Sequence, residues 1–250
     1  METAEYHTLY NLETDYWWFR NLHDIILDAL ATSVAPGARV LDAGCGTGGL
    51  LGRLAARGYA AVGFDLSADA ARFWPRRGVV GTACLGSINE IPFADNRFAA
   101  TVSVDILEVD GVDDARAYGE LVRVTQPGGL VVLVIPAYRW MMTAGHHQAV
   151  HAVRRYNRGT ARALAAGQPV RVDRLTDAFA ALFPIIGGVR LAHRLRERRG
   201  AVPVKSELQA LPAPVNSLLY GLTNLERHAL RRLDMPFGSS LVMIARKLDA

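Results

Sequence analysis

Short apolar runs recur along this 250-residue chain, and stretches with helical spacing separate most of them. Runs of this length, bounded by glycine or acidic residues, are typical of buried strands. They predict strands near residues 38–42, 60–65, 79–85, 99–104, 129–135, 169–176 and 240–247. Strands that alternate with helices form parallel sheets covered on both faces, so the pattern predicts an α/β protein. Before the first strand, residues 6–30 are predicted to form one or two helices.

A glycine-rich turn follows the first predicted strand, in the sequence RVLDAGCGTGG at residues 39–49. Gly44, Gly46 and Gly48 recur at every second position, where the missing Cβ atoms let the backbone turn tightly and approach a ligand closely. A helix that begins near Gly49 would point its free N–H groups at that ligand. The turn therefore predicts a nucleotide-like cofactor.

The second predicted strand, AAVGFD at residues 60–65, ends in an acidic residue. Asp65 lies about 20 residues beyond the glycines, where folds of this kind place a carboxylate on ribose hydroxyls. The glycine turn alone would also suit the tight βα connection of any doubly wound protein, and the acidic residue favours a nucleoside site. Nicotinamide-binding and S-adenosylmethionine-binding proteins share this order of elements, so the spelling of the turn must discriminate between them.

The turn reads GxGxGG at residues 44–49, with an added glycine at position 48 that the dinucleotide fingerprint GxGxxG does not require, and this spelling resembles the class I S-adenosylmethionine-dependent methyltransferases. Residues 86–109, GSINEIPFADNRFAATVSVDILEV, are similar to that family's adenine-side loop and fourth strand. Residues 123–137, RVTQPGGLVVLVIPA, are similar to its PGG turn and fifth strand. Segments at 17–20, at 146–156 and near the C-terminus are similar to a bacterial small-molecule subgroup, akin to the methyltransferases of ubiquinone and menaquinone biosynthesis.

The resemblance implies a Rossmann-like, seven-stranded sheet that is mostly parallel, with the last strand inserted antiparallel and helices on both faces. It implies a single domain made of an N-terminal helical lid, a cofactor-binding core, acceptor-side helical insertions and the last strand. These segments are residues 1–35, 36–137, 138–235 and 236–250. The implied cofactor is S-adenosyl-L-methionine, and the implied reaction is methyl transfer to oxygen, carbon or nitrogen of a small organic acceptor.

The same resemblance implies a set of cofactor contacts. The glycine loop would pass beneath the methionine part, Asp65 would hold the ribose, and Leu66 and Ile88 would pack on adenine. Ser87 replaces the usual aspartate that accepts a hydrogen bond from the adenine amine, and a hydroxyl accepts that bond more weakly. The predicted set is Trp18, Arg20, Gly44, Cys45, Gly46, Asp65, Leu66, Ser87, Ile88 and Asp105.

An aromatic cluster at residues 16–19, followed by Arg20, has two interpretations. Its rings could form a lid over the sulfonium, because an aromatic face attracts a cation, while Arg20 meets the cofactor's carboxylate. Alternatively, the cluster packs its rings against the edge of the sheet.

Family members build the acceptor pocket after the fifth strand, which here corresponds to residues 138–156. Methyl transfer to oxygen or to acidic carbon also requires removal of a proton, and histidine is suited to that role near neutral pH. His147 is the first candidate base, His146 and His151 are the reserves, and the predicted catalytic set is His147, His146 and Tyr156. The alternative for these histidines is a helix cap or a solvated loop.

Cysteine and histidine spacing argues against a metal site, because the two cysteines form no CxxC motif and the histidines form no HExxH motif. No apolar run approaches the roughly 20 residues of a membrane span. The N-terminus is acidic and polar, unlike a secretory signal, so the predicted location is cytoplasmic.

The basic excess comes from residues 185–235, which contain nine Lys or Arg and four acidic residues. Such a segment is either a helix with one packed and one solvated face, or a basic amphipathic helix on an anionic membrane or a phosphate-bearing acceptor. The charge is modest and lacks aromatic interleaving, so nucleic acid is not a predicted partner.

Methyl transfer to a small acceptor, including a lipid-like or secondary-metabolite intermediate, is the favoured function. One alternative is an enzyme that keeps the cofactor but catalyses cyclisation or rearrangement, because Val109 replaces a histidine common in the family and Ser87 replaces an acid. The other is a non-catalytic, membrane-peripheral accessory protein. The sequence leaves open the acceptor, the methylated atom and homodimer formation.

Overall fold

A single seven-stranded sheet organises the computed structural model, which describes residues 1–197, 199–200 and 208–249. The strands are β1 Arg39–Ala43, β2 Ala60–Asp65, β3 Ala83–Leu85, β4 Phe98–Val104, β5 Thr125–Pro136, β6 Val170–Ala178 and β7 Ser240–Lys247. Their order is β3-β2-β1-β4-β5-β7-β6. Strand β7 runs antiparallel to both β5 and β6, and the other pairs are parallel. The predicted mostly parallel sheet with an antiparallel last strand is confirmed.

Helices cover both faces of the sheet and extend over its carboxyl edge. The helices are α1 Thr3–Leu12, α2 Trp17–Ala31, α3 Gly49–Ala56, α4 Ala68–Ala71, α5 Trp74–Arg77, α6 Asp114–Val124, α7 Ala144–Val150, α8 Arg158–Ala165, α9 Phe183–Glu197 and α10 Ala213–Leu230. A 3-10 helix follows β5 at Arg139–Met141. Within the described ranges, no helix is both long enough and apolar enough to cross a membrane.

Strand β5 shows how the sheet separates two hydrophobic cores. Side chains alternate between the faces of a strand. Val131 and Leu133 therefore pack with α6 and α8 on one face, while Leu130 and Val132 pack with α2, α3 and α10 on the other. Burying each such side chain contributes about 1.5–3 kcal/mol. Burial on both faces explains why the central strands are continuous apolar runs in the sequence.

The starts of two strands differ most from the sequence prediction, and glycines lie near both. The third strand begins at Ala83 rather than near residue 79, because Gly78 and Gly81 adopt positive φ angles of 70° and 83° in turns. The fifth strand begins earlier, at Thr125, and carries an irregularity in its pairing with β4. A Cβ on Gly129 would lie 2.8 Å from the carbonyl oxygen of Ala99, so this close approach of backbones requires glycine.

Part of the predicted basic segment is structural. Helix α10 packs along α2, where Arg227 donates to Asp28 at 2.6 Å and Arg231 forms a second ion pair with the same carboxylate at 3.0 Å. The Tyr220 hydroxyl donates to Asp24 of α2 at 2.9 Å. These contacts give α10 one packed face, as the first of the two interpretations of this segment requires.

Gly238 offers a test of the packing between β6 and β7. A Cβ at this position would overlap the carbonyl oxygen of Ala178 and lie 2.7 Å from its carbonyl carbon. Because backbone atoms cannot move aside cheaply, we expect Gly238→Ala to lower the free energy of unfolding by about 2–3 kcal/mol in urea denaturation. Gly221→Ala, within α10 and with nothing within 4 Å of the new Cβ, is the matched control and should be neutral or stabilising by up to about 1 kcal/mol. Equal midpoints for the two variants would contradict this account.

Candidate functional site

The glycine loop lies between β1 and α3, at the carboxyl edge of the sheet. Gly44, Gly46 and Gly48 have φ angles of +82°, +51° and +90°, in the left-handed region that favours glycine. The backbone N–H groups of Gly44 and Cys45 both donate to the carbonyl oxygen of Phe64 at 2.9 Å. The loop is therefore attached directly to the end of β2.

Asp65 holds the loop to the tip of β2 with its side chain. One carboxylate oxygen accepts a hydrogen bond from Gly46 N–H at 2.8 Å, and the other accepts from Ser67 N–H at 2.9 Å. Burial raises the pKa of Asp65, and the bonds from Ser67 and Gly46 oppose that rise. A carboxylate has about four acceptor positions, so these two bonds leave capacity for a ligand. The structure thus brings the predicted ribose ligand to the glycine loop.

The predicted adenine-side residues surround the same edge. Leu66 is 76% exposed, an apolar side chain in solvent immediately beside Asp65. Ile88 is buried in the core with Phe64, and the Ser87 hydroxyl accepts from Asn89 N–H at 3.2 Å. Leu66 presents an uncovered apolar surface that suits a planar base.

Cys45 has a packing environment within the loop. Its side chain is buried against Leu51, Trp74 and Val79, and burial raises the pKa of its thiol. The Trp74 ring N–H donates to the carbonyl oxygen of Gly46 at 3.0 Å. These contacts support the shape of the loop from beneath.

The aromatic cluster lies at the start of α2, and its side chains pack against residues from other parts of the chain. Trp18 stacks on Phe179 beyond β6, with ring centroids 5.9 Å apart. The guanidinium of Arg20 lies 3.8 Å from the centroid of the Tyr220 ring on α10. These contacts correspond to the packing interpretation of the cluster, and the structure does not bring Trp18 or Arg20 into contact with the glycine loop within the described residues. Their role as cofactor ligands stays a prediction.

Two buried carboxyl groups lie just beyond β4. Asp105 adopts a φ of +48°, a strained conformation for a residue with a Cβ, and its Oδ1 atom is buried without a hydrogen-bond partner. Burial raises the pKa of Asp105, and the Arg155 guanidinium opposes this rise. Burial and the neighbouring Asp105 raise the pKa of Glu108 well above its usual range. Backbone strain combined with unpartnered buried carboxyl oxygens is typical of a functional site.

The predicted acceptor segment runs beside this end of β4. The backbone of Ala152 pairs with Val109 in an isolated bridge, and His147 Nδ1 lies 2.7 Å from the carbonyl oxygen of Ala152. Tyr156 is buried, and its hydroxyl oxygen lies 2.9 Å from an Asp114 carboxylate oxygen and 3.1 Å from the carbonyl oxygen of Leu107, which share its one proton. His147 is exposed at the edge, whereas Tyr156 belongs to the core. The side chain of His146 lies outside the described part of the chain.

Helix α1 lies over the glycine loop and brings Glu13 to it, a residue that the sequence analysis did not single out. A Cβ on Gly46 would lie 3.3 Å from Leu9 Cδ2, and a Cβ on Gly49 would overlap the carboxyl carbon of Glu13. Glu13 follows the last residue of α1 and accepts hydrogen bonds from the Thr47 hydroxyl and the Gly49 N–H. The sequence shows an acidic residue just before the aromatic cluster. Glu13 belongs to no recognised motif, so the sequence alone could not distinguish it from an exposed surface acid.

Arg77 holds this end of α1 in place. Its guanidinium donates to the Thr14 hydroxyl and to the carbonyl oxygen of Tyr10, both at 2.6 Å, and lies 3.5 Å from the Glu13 carboxylate. The Tyr10 ring stacks on Phe73 with centroids 4.8 Å apart. Contacts with Arg77 and Phe73 therefore hold α1 beside the α4–α5 region, and its role as a lid stays a prediction.

Fold and site together define a Rossmann-like α/β protein with a glycine-rich loop, joined to an acidic residue, at the carboxyl edge of its sheet. Residues 41–133 match the methyltransferase domain family. This match runs from β1 into β5, and it agrees with the resemblance of the sequence to the class I S-adenosyl-L-methionine-dependent methyltransferases.

Curated relatives and a solved structure that this chain resembles are also methyltransferases. The chain is 33% identical over 141 residues to a demethylmenaquinone methyltransferase of Paenarthrobacter aurescens, covering 54% of each protein. It is 29% identical over 184 residues to 24-methylenesterol C-methyltransferase 2 of rice, covering 59% of this chain and 48% of the relative. The chain thus spans about half the length of these relatives.

A solved structure of phosphoethanolamine N-methyltransferase 2 from Haemonchus contortus, in complex with S-adenosyl-L-methionine, superposes with a TM-score of 0.58. It is 16% identical in sequence, and the match covers 99% of this chain and 58% of that structure. At this identity the likeness shows the fold alone.

Glu13 predicts a pH dependence of stability that does not require a ligand. Burial raises the pKa of Glu13 from 4.5 to about 7, against the opposing effects of Thr47, Arg77 and Gly49. The folded protein therefore holds this proton more tightly than the unfolded chain. The proton on Glu13 stabilises the folded state below pH 4.5, and this contribution is lost as the pH rises towards 7.

Gln keeps one acceptor oxygen for these donors and carries no charge, so we expect Glu13→Gln to match wild type near pH 4.5 and to exceed its unfolding free energy by about 2 kcal/mol at pH 8. Chemical denaturation at both pH values measures this difference. A variant less stable than wild type at pH 8 would show that the ionised carboxylate stabilises the fold.

Proposed function

We propose that the protein is an S-adenosyl-L-methionine-dependent methyltransferase that acts on a small, lipid-like organic acceptor. The observation that carries this proposal is the joining of the glycine loop to the carboxylate of Asp65 at the tip of β2. The matched domain and the names of the curated relatives support it.

The residues at the loop fit this cofactor. The left-handed glycines allow a close approach to its methionine part, and the free acceptor positions of Asp65 can take the ribose hydroxyls. Leu66 can cover one face of the adenine, with Ile88 behind the site. When bound, the cofactor supplies a methyl group activated on a sulfonium. The protein's part is then to align the acceptor and to exclude water.

Proton removal from the acceptor is assigned to the edge beyond β4. A carbonyl oxygen can only accept, so His147 Nδ1 donates to the carbonyl oxygen of Ala152. The free lone pair is then on Nε2, which would act as the general base. Asp105 is the second candidate, because its Oδ1 is buried, unpartnered and on a strained backbone. We assign Tyr156 to the packing of this edge, since both hydrogen bonds of its hydroxyl are made within the core.

Exposed apolar residues near the acceptor segment support the lipid-like character of the acceptor. On helix α9, Arg190 donates to the carbonyl oxygen of Met141 at 3.2 Å, and Arg194 donates to the carbonyl oxygen of Trp140 at 3.1 Å. Helix α9 therefore lies over this segment. Exposed apolar residues of α9 and α10 are Ile185, Val189, Leu191, Leu195, Val215, Leu218, Leu222 and Leu225. We include peripheral contact with an anionic membrane from the cytoplasmic side in the proposal. Absence of co-sedimentation with anionic vesicles at low salt would remove this part.

Cofactor binding is tested by calorimetry with S-adenosylhomocysteine. We expect Asp65→Ala to weaken binding about 10- to 100-fold, because charged hydrogen bonds to the ribose are lost. Asp249→Ala, which removes the same side chain from an exposed position, is the control and should bind like wild type. Undetectable binding by wild type under conditions where it is folded would overturn the proposed function.

The base assignment is tested by pH profiles of methyl transfer once an acceptor is identified. We expect His147→Ala to lower kcat by about 10²–10⁴, with little effect on S-adenosylhomocysteine affinity. If His147→Ala keeps full turnover and Asp105→Asn instead lowers kcat by about 10²–10⁴, the role of general base belongs to Asp105.

Replacement of the family histidine by Val109 keeps a cofactor-dependent cyclisation or rearrangement as the second candidate. Mass spectrometry separates the two functions. Methyl transfer increases the mass of the acceptor by one methylene and releases S-adenosylhomocysteine, whereas a rearrangement leaves the mass of the substrate and the cofactor unchanged.

A further inference from the structure

A cleft of about 250 Å³ lies between α2, the end of α10 and strands β5, β6 and β7. Arg246, which lines it, pairs with Leu130 and donates to the carbonyl oxygen of Gly128, in the first half of β5 and towards the amino edge of the parallel strands. The glycine loop, Asp65 and Asp105 follow the carboxyl ends of β1, β2 and β4, at the opposite edge. The cleft is therefore separate from the cofactor and acceptor sites of the proposed function.

The floor of the cleft is apolar. Its residues come from α2, α10 and the sheet: Ile25, Ala29, Leu130, Leu230, Val242 and Ile244. Leu130 and Val242 are each 1% exposed, so the bottom is a packed surface of the sheet. The cleft is smaller than the roughly 300–1,000 Å³ of sites for drug-sized ligands, and it suits a short alkyl chain or a single ring.

The rim of the cleft is basic. Four arginines line it: Arg174, Arg227, Arg231 and Arg246. Against these four cations the described residues of the lining include two acids, Asp28 and Asp173, so the rim carries a net charge of +2. Two further ion-pair partners, Arg171 and Asp234, cancel each other and leave this balance unchanged. An apolar floor under a cationic rim attracts an anion that carries an apolar group.

Three of the four guanidinium groups keep donors free after their ion pairs are made. Arg227 donates from Nη1 to Asp28 and from Nε to Asn224. Arg231 donates from Nε and Nη2 to the same Asp28 carboxylate. Within the described ranges, no oxygen accepts from Arg227 Nη2, Arg231 Nη1 or Arg174 Nη1. Asp28 thus holds two guanidinium groups beside each other, with N–H donors left over for a second anion.

We propose that the cleft binds a small amphipathic anion, with its carboxylate or phosphate head at the arginine rim and its apolar part on the floor. Arginine suits both heads, because the planar guanidinium donates two parallel N–H bonds to such oxygens. A bare inorganic ion would gain nothing from the apolar floor. The ligand contacts α2, α10 and the sheet together, so its binding stabilises the folded chain. The inference does not depend on the proposed function, because it uses none of the residues of the cofactor site.

Holding α10 on α2 is the structural role that these arginines could have instead. Arg231 separates this role from ligand binding, because its side chain is 52% exposed and Asp28 keeps its ion pair with Arg227 when Arg231 is removed. Arg232→Ala removes the same charge from the neighbouring exposed position, which does not line the cleft, and is the matched control.

The experiment measures binding of octyl phosphate and of octanoate by calorimetry, below the concentrations at which they form micelles. Inorganic phosphate has a head without the chain, and 1-octanol has the chain without the charge. We expect the tighter of the two amphipathic anions to bind wild type at least about tenfold more tightly than either fragment, because head and chain act together. It should also raise the thermal unfolding midpoint of wild type.

Two variants test the two halves of the site. We expect Arg231→Ala to weaken binding of that anion about tenfold, because donors to a charged group are lost, and Arg232→Ala to bind within about twofold of wild type. Ala29→Leu adds three carbon atoms to the floor and should weaken binding by at least about fivefold, whereas Ala31→Leu adds the same atoms at an exposed position of α2 and should not. Urea denaturation checks that each variant is folded.

Vesicles distinguish the two sources of such a ligand. Co-sedimentation with phosphatidic acid vesicles that is lost in Arg231→Ala, but not in Arg232→Ala, would assign the ligand to membrane lipid. Binding of the free anion without co-sedimentation would assign it to a soluble compound. The proposal is overturned if folded wild type binds neither amphipathic anion, if 1-octanol binds as tightly as they do, or if Arg231→Ala and Arg232→Ala show equal losses.

Discussion

The hydrogen bond from Gly46 N–H to the Asp65 carboxylate is the interaction on which the site depends, because it joins the loop after β1 to the tip of β2. The carbonyl oxygen of Phe64 strengthens the same junction by accepting from two loop N–H groups. Since β1 and β2 are adjacent and parallel, the sheet holds both partners without relying on a flexible connection. Left-handed glycines then keep side chains away from the space above the loop. A carboxylate and a bare backbone thus lie side by side, which is the arrangement that a nucleoside requires.

A second layer of the site comes from α1. The helix is held by packing on α4 and α5 and by Arg77, and this packing carries Glu13 to the N-terminus of α3. Buried acids in such a place oppose stability above their ordinary pKa, since the folded state resists their ionisation. The stability of this chain is therefore coupled to pH through these carboxylates.

The sequence predicted the sheet more completely than the site. All seven strands were anticipated because central strands buried on both faces are long apolar runs, and the largest shifts of boundary occur at the starts of β3 and β5, near Gly78, Gly81 and Gly129. The loop glycines and Asp65 were anticipated because their spacing is local. Trp18 and Arg20 were assigned to the cofactor, but the structure gives them Phe179 and Tyr220 as neighbours, and both partners lie far away along the chain. The same run of aromatic residues can cover a ligand or pack against a sheet, so the sequence alone does not distinguish the two roles.

By itself, the sequence determined the order of strands and helices, the shape of the glycine turn and the acid that follows it, since each depends on neighbouring residues and their hydrogen-bonding or steric preferences. Tertiary structure alone decided which distant side chains meet at that turn. Glu13 and Thr47 are 34 positions apart, and their contact exists only because α1 folds back over the loop. The orientation of His147 towards the carbonyl oxygen of Ala152 likewise depends on how the segment after β5 lies against the end of β4. Such contacts arise from the packing of whole elements, which no short stretch of sequence encodes.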